Sequence, residues 1–187
     1  MKTIQTAAYE VSDLENFPEV KKRVLEKHFE TNIYDGFFDE VKECFIDTFK
    51  ETEQAKNWLI ERIFFSGFGS QGDGAMFEGS YIDENTEIFF THDNGRYYHE
   101  NSFNAEYDED KVSESQFQDI KNEYQSICKS IYKFINESYD NATTEDAILQ
   151  TLEANEYLFN ENGDIVNQNY HETIRTPSYW HCISYNK

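Results

Sequence analysis

The residues best suited to ligand chemistry lie in one glycine-rich stretch, where five of the chain's 8 glycines fall within residues 67–79. Backbone N–H groups in such a turn can form a concave site that holds an anion, and the carboxylate of Asp73 could serve an enzyme or a small-ligand site. We favour a turn that simply needs glycine, because glycine alone takes positive φ at no steric cost. The central motif consists of Ser70, Gln71, Gly72, Asp73 and Gly74.

Neighbouring residues exclude two common chemistries of glycine-rich loops. No Lys or Arg lies between Arg62 and Arg96, where a phosphate site would need a cation, and the spacing fits no phosphate-binding loop. Ser70 is not the nucleophile of a Gly-x-Ser-x-Gly elbow, because Phe68 occupies the position of the first glycine.

Two histidines form a second candidate site. Asn94-Gly95 between two strand-like runs predicts a type I′ hairpin, which places His99 opposite Phe90 and puts His92 and His99 on one face. Histidines with carboxylates nearby can bind a metal ion. Because no third ligand can be named, we favour two ordinary histidines of a sheet and predict neither a metal nor another cofactor.

Acidic residues dominate the chain, which has a formal net charge of −21. Residues 71–110 alone hold 11 acids and one base. This charge argues against nucleic acid and anionic membranes as direct ligands, and it favours either a basic protein partner or solubility alone. The candidate partner-binding residues, chosen by charge density, are Asp73, Glu78, Asp83, Glu84, Glu87, Glu100, Glu106, Asp108, Glu109 and Asp110.

The composition indicates one domain over residues 1–187, with aromatic side chains, 17% of the chain, supplying much of the buried area. Three widely spaced cysteines without a Cys-x-x-Cys motif are typical of reduced thiols in the cytosol. No stretch approaches the ~18 apolar residues of a membrane span.

The first half of the chain predicts a strand, helices and a hairpin. A strand is expected over 3–11, a helix from the capping box at 12–15 to about Phe29, and an amphipathic helix over 35–49 that continues, or is followed by a short third helix, over 52–60. Alternating aromatic residues over 64–81 then predict two strands around the glycine-rich turn, with bulges or close backbone approach at the glycines inside them.

The second half predicts the rest of an antiparallel sheet and its cover. Strands are expected over 87–93 and 96–107, followed by one long helix at about 113–139. Its apolar seam covers the sheet, which we favour, or pairs with another helix or subunit. A helix capped near Thr144, a small hairpin around 160–163 and a docked segment over 173–185 complete the chain. The expected fold is α+β, with a single antiparallel sheet of about four or five strands packed against helices.

Two segments carry a resemblance to known proteins. The stretch Phe64–Gly79, with its Ser-Gln-Gly-Asp-Gly-Ala core, and the segment Ala147–Gly163 resemble a family of uncharacterised bacteriophage-encoded proteins, some of them labelled antitoxin-like. The similarity covers roughly residues 3–90 and 143–164. It implies a phage origin and action inside the host bacterial cytoplasm, and it brings no catalytic residues.

Three functions follow as expectations. The first is a non-enzymatic acidic protein, monomer or homodimer, that inhibits a basic host protein such as a CRISPR effector or restriction enzyme by placing carboxylates where phosphates bind. The second is an antitoxin-like protein that neutralises a toxin through an apolar interface. The third is an enzyme or small-ligand protein that uses the turn at 70–74 with Asp73, and with His92 or His99.

Overall fold

The computed structural model describes residues 7–69 and 72–166. Features expected in residues 3–6, at Ser70 and Gln71, and over 173–185 lie outside these ranges. The chain divides into two compact units. One contains the described residues up to Phe37 and from Tyr139 onward, and the other runs from Phe38 to Ser138.

The second unit is built on a four-stranded antiparallel sheet in the order β1-β2-β3-β4. On β3 the buried Ile88 and Phe90 alternate with exposed neighbours, as expected for a strand with one face against a core. This confirms the predicted α+β class and its antiparallel sheet. The strands are β1 (Trp58–Ser66), β2 (Gly74–Ile82), β3 (Glu87–His92) and β4 (Phe103–Tyr107).

Helix α3 (Glu114–Ala142) covers one face of this sheet and confirms the long helix predicted at about 113–139. The Tyr124 ring lies 4.6 Å from that of Phe77 and 4.3 Å from that of Phe90, between ring centroids. Its hydroxyl donates a hydrogen bond of 2.8 Å to the carbonyl of Phe77, which satisfies the one polar atom that this buried ring carries. Other seam residues that are buried are Ile120, Ile127 and Ile131.

Helix α2 (Phe37–Lys50) confirms the predicted amphipathic helix, but the helical structure expected over 52–60 is wrong. A 3-10 turn, Gln54–Lys56, is followed directly by β1 at Trp58. The physical reason is the packing of Trp58, whose ring lies 5.8 Å from that of Phe77 and is 5% exposed. Burial of that large ring within the sheet outweighs local helix propensity.

Gly79 marks the close backbone approach predicted for glycines inside the strands. The β1–β2 register shifts between Ile60 and Arg62, so that a bulge faces Gly79 and Glu78. A Cβ atom added at Gly79 would lie 1.9 Å from the carbonyl oxygen of Leu59. Only glycine fits at this position of the sheet.

The type I′ hairpin predicted at Asn94-Gly95 is wrong. β3 ends at His92 and pairs with β4, so that Phe90 lies opposite Ala105 rather than His99. Residues 93–102 therefore form a loop instead of a turn and a strand.

Aromatic packing explains this loop. The Tyr98 ring stacks on that of Phe64 with centroids 5.2 Å apart, and the Tyr98 N–H donates to the Ser66 hydroxyl at 2.9 Å. These contacts hold the loop against the far end of β1, and they outweigh the local preference of Asn-Gly for a two-residue turn.

The first unit contains short helices around a small core. A 3-10 helix (Val11–Asn16) precedes α1 (Pro18–Lys27), so the single helix predicted from 12 to about 29 is divided. The proline at the first position of α1 fits because its missing N–H would have no partner there. The main buried residues of this core are Leu14, Val24, Ile148, Leu152 and Phe159.

Two further predictions concern this unit. Thr144 caps α4 (Glu145–Ala154) by accepting a hydrogen bond from the backbone of Ala147 at 3.3 Å, as expected. In place of the expected first strand, the described residues have one antiparallel bridge from Tyr9 to Phe159. Phe159 also bridges Ile165 across the predicted terminal turn.

No α-helix within the described ranges combines the length and the apolar content that crossing a bilayer requires.

Candidate functional site: an acidic depression on the sheet

An open depression with a volume of about 650 Å³ lies at the end of the sheet where β2 turns into β3 and β4 ends. Ile82 and Phe89 contribute apolar surface to its lining. Five of the ten candidate partner-binding acids line it, which are Asp83, Glu84, Glu87, Glu106 and Asp108.

The register of the strands brings these acids together. Ile82 pairs with Glu87 across β2 and β3, and Phe89 pairs with Glu106 across β3 and β4. Because directly opposed residues project to the same face of a sheet, Glu87 and Glu106 flank Phe89 on one surface. Sequence separation alone does not reveal this arrangement, since it depends on the order of the strands.

Hydrogen bonds fix the β2–β3 turn at one side of the depression. The Asp83 N–H donates to the carbonyl of Thr86 at 2.9 Å. Thr86 is buried, and its hydroxyl accepts a hydrogen bond of 2.7 Å from the side-chain amide of Gln116 on α3. The turn is therefore tied to the long helix as well as to the sheet.

The Asp83 carboxylate is held in its ionised form. The backbone N–H of Asn85 donates to it at 2.9 Å and the Tyr81 hydroxyl donates at 3.1 Å. These bonds, with the Asn85 N–H contributing most, lower the pKa of Asp83 below its usual value. Burial raises the pKa of Tyr81, and the neighbouring Asp83 raises it further.

Asp108 is stabilised as an anion at the other side. The Lys111 ammonium lies 3.1 Å from its carboxylate, and the Asp110 N–H donates to it at 3.1 Å. Both contacts lower the pKa of Asp108, the lysine contributing most. Lys111 also lines the depression. A cationic side chain of a partner would therefore either displace Lys111 from Asp108 or bind Asp108 together with it.

The other five candidate acids do not line the depression. Glu78 lies 3.8 Å from Arg62 and Glu100 lies 3.9 Å from Lys129, measured between the charged atoms. Asp73 precedes β2 and is therefore at the opposite end of that strand. Glu109 and Asp110 are exposed in the turn that follows β4.

The described glycines of the predicted turn are explained by packing. A Cβ at Gly72, which has a φ of +100°, would lie 2.9 Å from the ring of Tyr97. A Cβ at Gly74 would lie 2.7 Å from the Cβ of His99. Both glycines permit residues 93–102 to approach, which agrees with the interpretation of a turn that needs glycine.

The two histidines, His92 and His99, make local contacts at the end of the sheet opposite the depression. His99 Nδ1 accepts a hydrogen bond from the Asn101 N–H at 3.1 Å, and the His92 Nε2 lies 3.4 Å from the Tyr97 carbonyl oxygen. Among the residues that the structure describes, no three His, Cys, Asp or Glu side chains are grouped so that they could hold a metal ion.

Sequence reasoning missed the exposed apolar side chains beside the acids. Leu59, Ile82 and Phe89 are 52%, 47% and 46% exposed. The signal was present for Phe89, because strict alternation with the buried Ile88 and Phe90 points its side chain away from the core.

Residues 29–89 match the model of a family described as a domain of unknown function (DUF8835). The match covers less than half of the chain and includes α2, β1, β2 and the first half of β3. Neither a curated protein nor a solved structure matches the chain.

Proposed function

We propose that this chain is an acidic binding protein of phage origin that inhibits a basic host protein. The target would be a nucleic-acid-handling defence component of the bacterial cytoplasm, such as a CRISPR effector or a restriction enzyme. The observation that carries the proposal is the convergence of five carboxylates around one open depression. Carboxylates there would occupy the positions that phosphates take on the target's basic surface.

Two physical features support this role. The carboxylates of Glu87 and Glu106 are presented from paired strands, so little backbone entropy is lost when a partner binds. The hydrogen bonds to Asp83 and Asp108 favour the charged form. A net charge of −21 adds a long-range field that speeds encounter with a basic protein.

A second candidate function, an antitoxin-like protein with an apolar interface, is favoured by one observation. Ile82 and Phe89 are about half exposed within the same depression, and exposed apolar side chains in one place are typical of protein-binding surfaces. The remaining hypothesis, an enzyme or small-ligand protein centred on Asp73, stays a hypothesis.

Capture of partners from the lysate of a bacterium that carries known defence systems tests the proposal. The bait is the full chain, its variant Glu87→Gln/Glu106→Gln, or a control variant Glu43→Gln/Glu51→Gln that removes the same charge from exposed positions elsewhere in the second unit. We expect one basic protein to be retained by the wild type and the control and to be weakened on the test variant. Excess duplex DNA and ~0.5 M salt should both release it.

The opposite pattern would contradict the proposal. A partner that resists both DNA and salt, and that binds the Glu87→Gln/Glu106→Gln variant as well as the wild type, is not held by this acidic surface. Such a partner would instead favour the antitoxin-like interpretation.

A further inference from the structure

Three large apolar side chains are exposed on the face of the sheet that points away from α3. They are Leu59, Ile82 and Phe89, at 52%, 47% and 46% exposure. Their chain neighbours point the other way, since Trp58 and Phe90 both contact Tyr124 of α3. We refer to these three residues as the outer patch.

The outer patch is continuous across the strands. Leu59 lies opposite Ser80, Ser80 lies opposite Phe89, and Phe89 lies opposite Glu106, so one row crosses all four strands. Ser80 in the middle of the row is 3% exposed, so the larger side chains around it cover its small side chain. Two strand spacings separate Leu59 from Phe89, about 10 Å, which is close to the diameter of an α-helix.

Charge decides what can cover this patch. Glu87 lies opposite Ile82 and Glu106 lies opposite Phe89, so carboxylates border the apolar side chains directly. A second copy of the chain would bring like charges together, and an anionic lipid surface or nucleic acid would do the same. The complementary partner carries apolar side chains for the patch and basic side chains for its border.

We propose that the outer patch is the docking site for a basic amphipathic helix of the partner protein, an inference that rests on the proposed function and specifies its partner. One apolar face of the helix lies on Leu59, Ile82 and Phe89, and Lys or Arg residues beside that face pair with Glu87 and Glu106. An antiparallel sheet commonly leaves one face in water, and the docked helix would cover the part of that face that the outer patch occupies.

A synthetic peptide tests this directly. The probe has about 15 residues of Leu, Ala and Lys, with Leu at helical spacing on one face, and the control peptide has the same composition with Leu spread evenly. Binding is measured by isothermal titration to the full chain. We expect the amphipathic peptide to bind at least about tenfold more tightly than the control peptide, because only it can bury Leu side chains on the patch.

A matched pair of variants locates the contact. Phe89→Ser should weaken binding of the amphipathic peptide at least about tenfold, whereas Phe29→Ser, which removes a ring of similar exposure, 47%, should change it less than about twofold. Both positions are exposed, and thermal melts verify that both variants fold. Equal binding of the two peptides, or equal effects of the two variants, would overturn the inference.

Two outcomes separate this inference from the proposed function. If Glu87→Gln/Glu106→Gln weakens the peptide and Phe89→Ser does not, the acidic surface stands and the docking helix is wrong. If Phe89→Ser weakens it and neither salt nor the acidic variant matters, the apolar contact stands, but the pairing of Lys or Arg with Glu87 and Glu106 is wrong, and so is the acidic mechanism. A wild-type dimer in light scattering that Phe89→Ser converts to a monomer would assign the patch to a second copy and overturn the inference.

Discussion

Phe89 and Glu106 lie directly opposite each other on β3 and β4, and the phenyl ring of Phe89 is 46% exposed. An apolar ring and a carboxylate in adjacent, outward-facing positions contribute less to a fold than core residues do, since about half of the ring stays in water and the acid has no cation directly across from it in the register. The same pair presents both kinds of contact that a basic, partly apolar partner would use.

Removing either member should therefore cost much less than a core truncation. For Glu106→Gln we expect the free energy of unfolding, measured by urea denaturation, to change by less than about 0.5 kcal/mol, and for Phe89→Ser we expect it to fall by about 1 kcal/mol, since only half of the ring is buried. A loss above about 1.5 kcal/mol for Phe89→Ser would show that its ring is part of the core, and it would remove the outer patch as a binding surface.

Gly79→Ala should be severely destabilising. The added Cβ would lie 1.9 Å from the carbonyl oxygen of Leu59, and a backbone atom cannot move aside without opening the β1–β2 pair. We expect a loss of about 3 kcal/mol in the free energy of unfolding. Gly36→Ala, at a glycine with no atom within 4 Å of the added Cβ but a φ of +94°, is the control for backbone strain alone; an equal loss at both positions would contradict the steric explanation.

The buried hydroxyl of Tyr124 should contribute measurably to stability. Tyr124→Phe removes the 2.8 Å hydrogen bond to the Phe77 carbonyl and should cost about 1–2 kcal/mol in chemical denaturation. Tyr132→Phe removes a bond to the Gly67 carbonyl at 3.1 Å in an exposed position and should cost less than about 0.5 kcal/mol. A similar loss of unfolding free energy in the two variants would contradict the claim that burial makes the Tyr124 hydrogen bond more stabilising.

Acid should destabilise the fold partly through Asp83. Its pKa is lowered in the folded state, so the folded chain binds fewer protons than the unfolded chain. The stabilisation is complete above the unfolded pKa of about 3.9 and is lost as the pH falls through the lower folded pKa. Asp83→Asn should therefore flatten the acid side of the stability curve, measured by thermal melting from about pH 6 to pH 2, and an unchanged slope would contradict the assignment.

Cys128 should be an unreactive thiol in the folded chain. It is fully buried, and burial raises its pKa to about 12. In the variant Cys44→Ser/Cys182→Ser, a disulfide reagent at about pH 8 should modify Cys128 at least about 100-fold more slowly than a free cysteine. Unfolding in urea should restore the rate. Fast modification of the folded variant would show that the α3–sheet interface opens easily.

Regular apolar spacing explains why the long helices could be predicted. The apolar side chains of α3 recur every three or four residues, which predicts the helix, and Ile120, Tyr124 and Ile127 are buried. The same spacing predicts α2. In such segments the local pattern and the tertiary packing favour one structure.

The errors occurred where tertiary packing outweighed a local signal. Asn94-Gly95 predicts a two-residue turn, but the stacking of Tyr98 on Phe64 holds a longer loop. Trp58 continues a helical pattern in the sequence, but its ring is buried in the sheet. Both structures depend on contacts between residues far apart in the chain, and local propensity carries no information about such contacts.

The candidate site could be predicted only in part. Charge density selected Glu87 and Glu106, but the pairing that places them on either side of Phe89 follows from strand order and register. Half of the acids chosen in this way lie elsewhere, as Glu78 beside Arg62 illustrates. Composition can identify a charged region, whereas convergence on one surface requires the fold.

Carboxyl footprinting of the complex with the captured host protein tests the central claim most directly. A carbodiimide reagent labels accessible Asp and Glu side chains, and mass spectrometry compares the free and bound chain. We predict that labelling decreases at Asp83, Glu87 and Glu106 and is unchanged at the control positions Glu43 and Glu51. If labelling of all five residues is the same in the free and the bound chain, or if it decreases only at the two control positions, the partner binds elsewhere. Either result would contradict the proposed function.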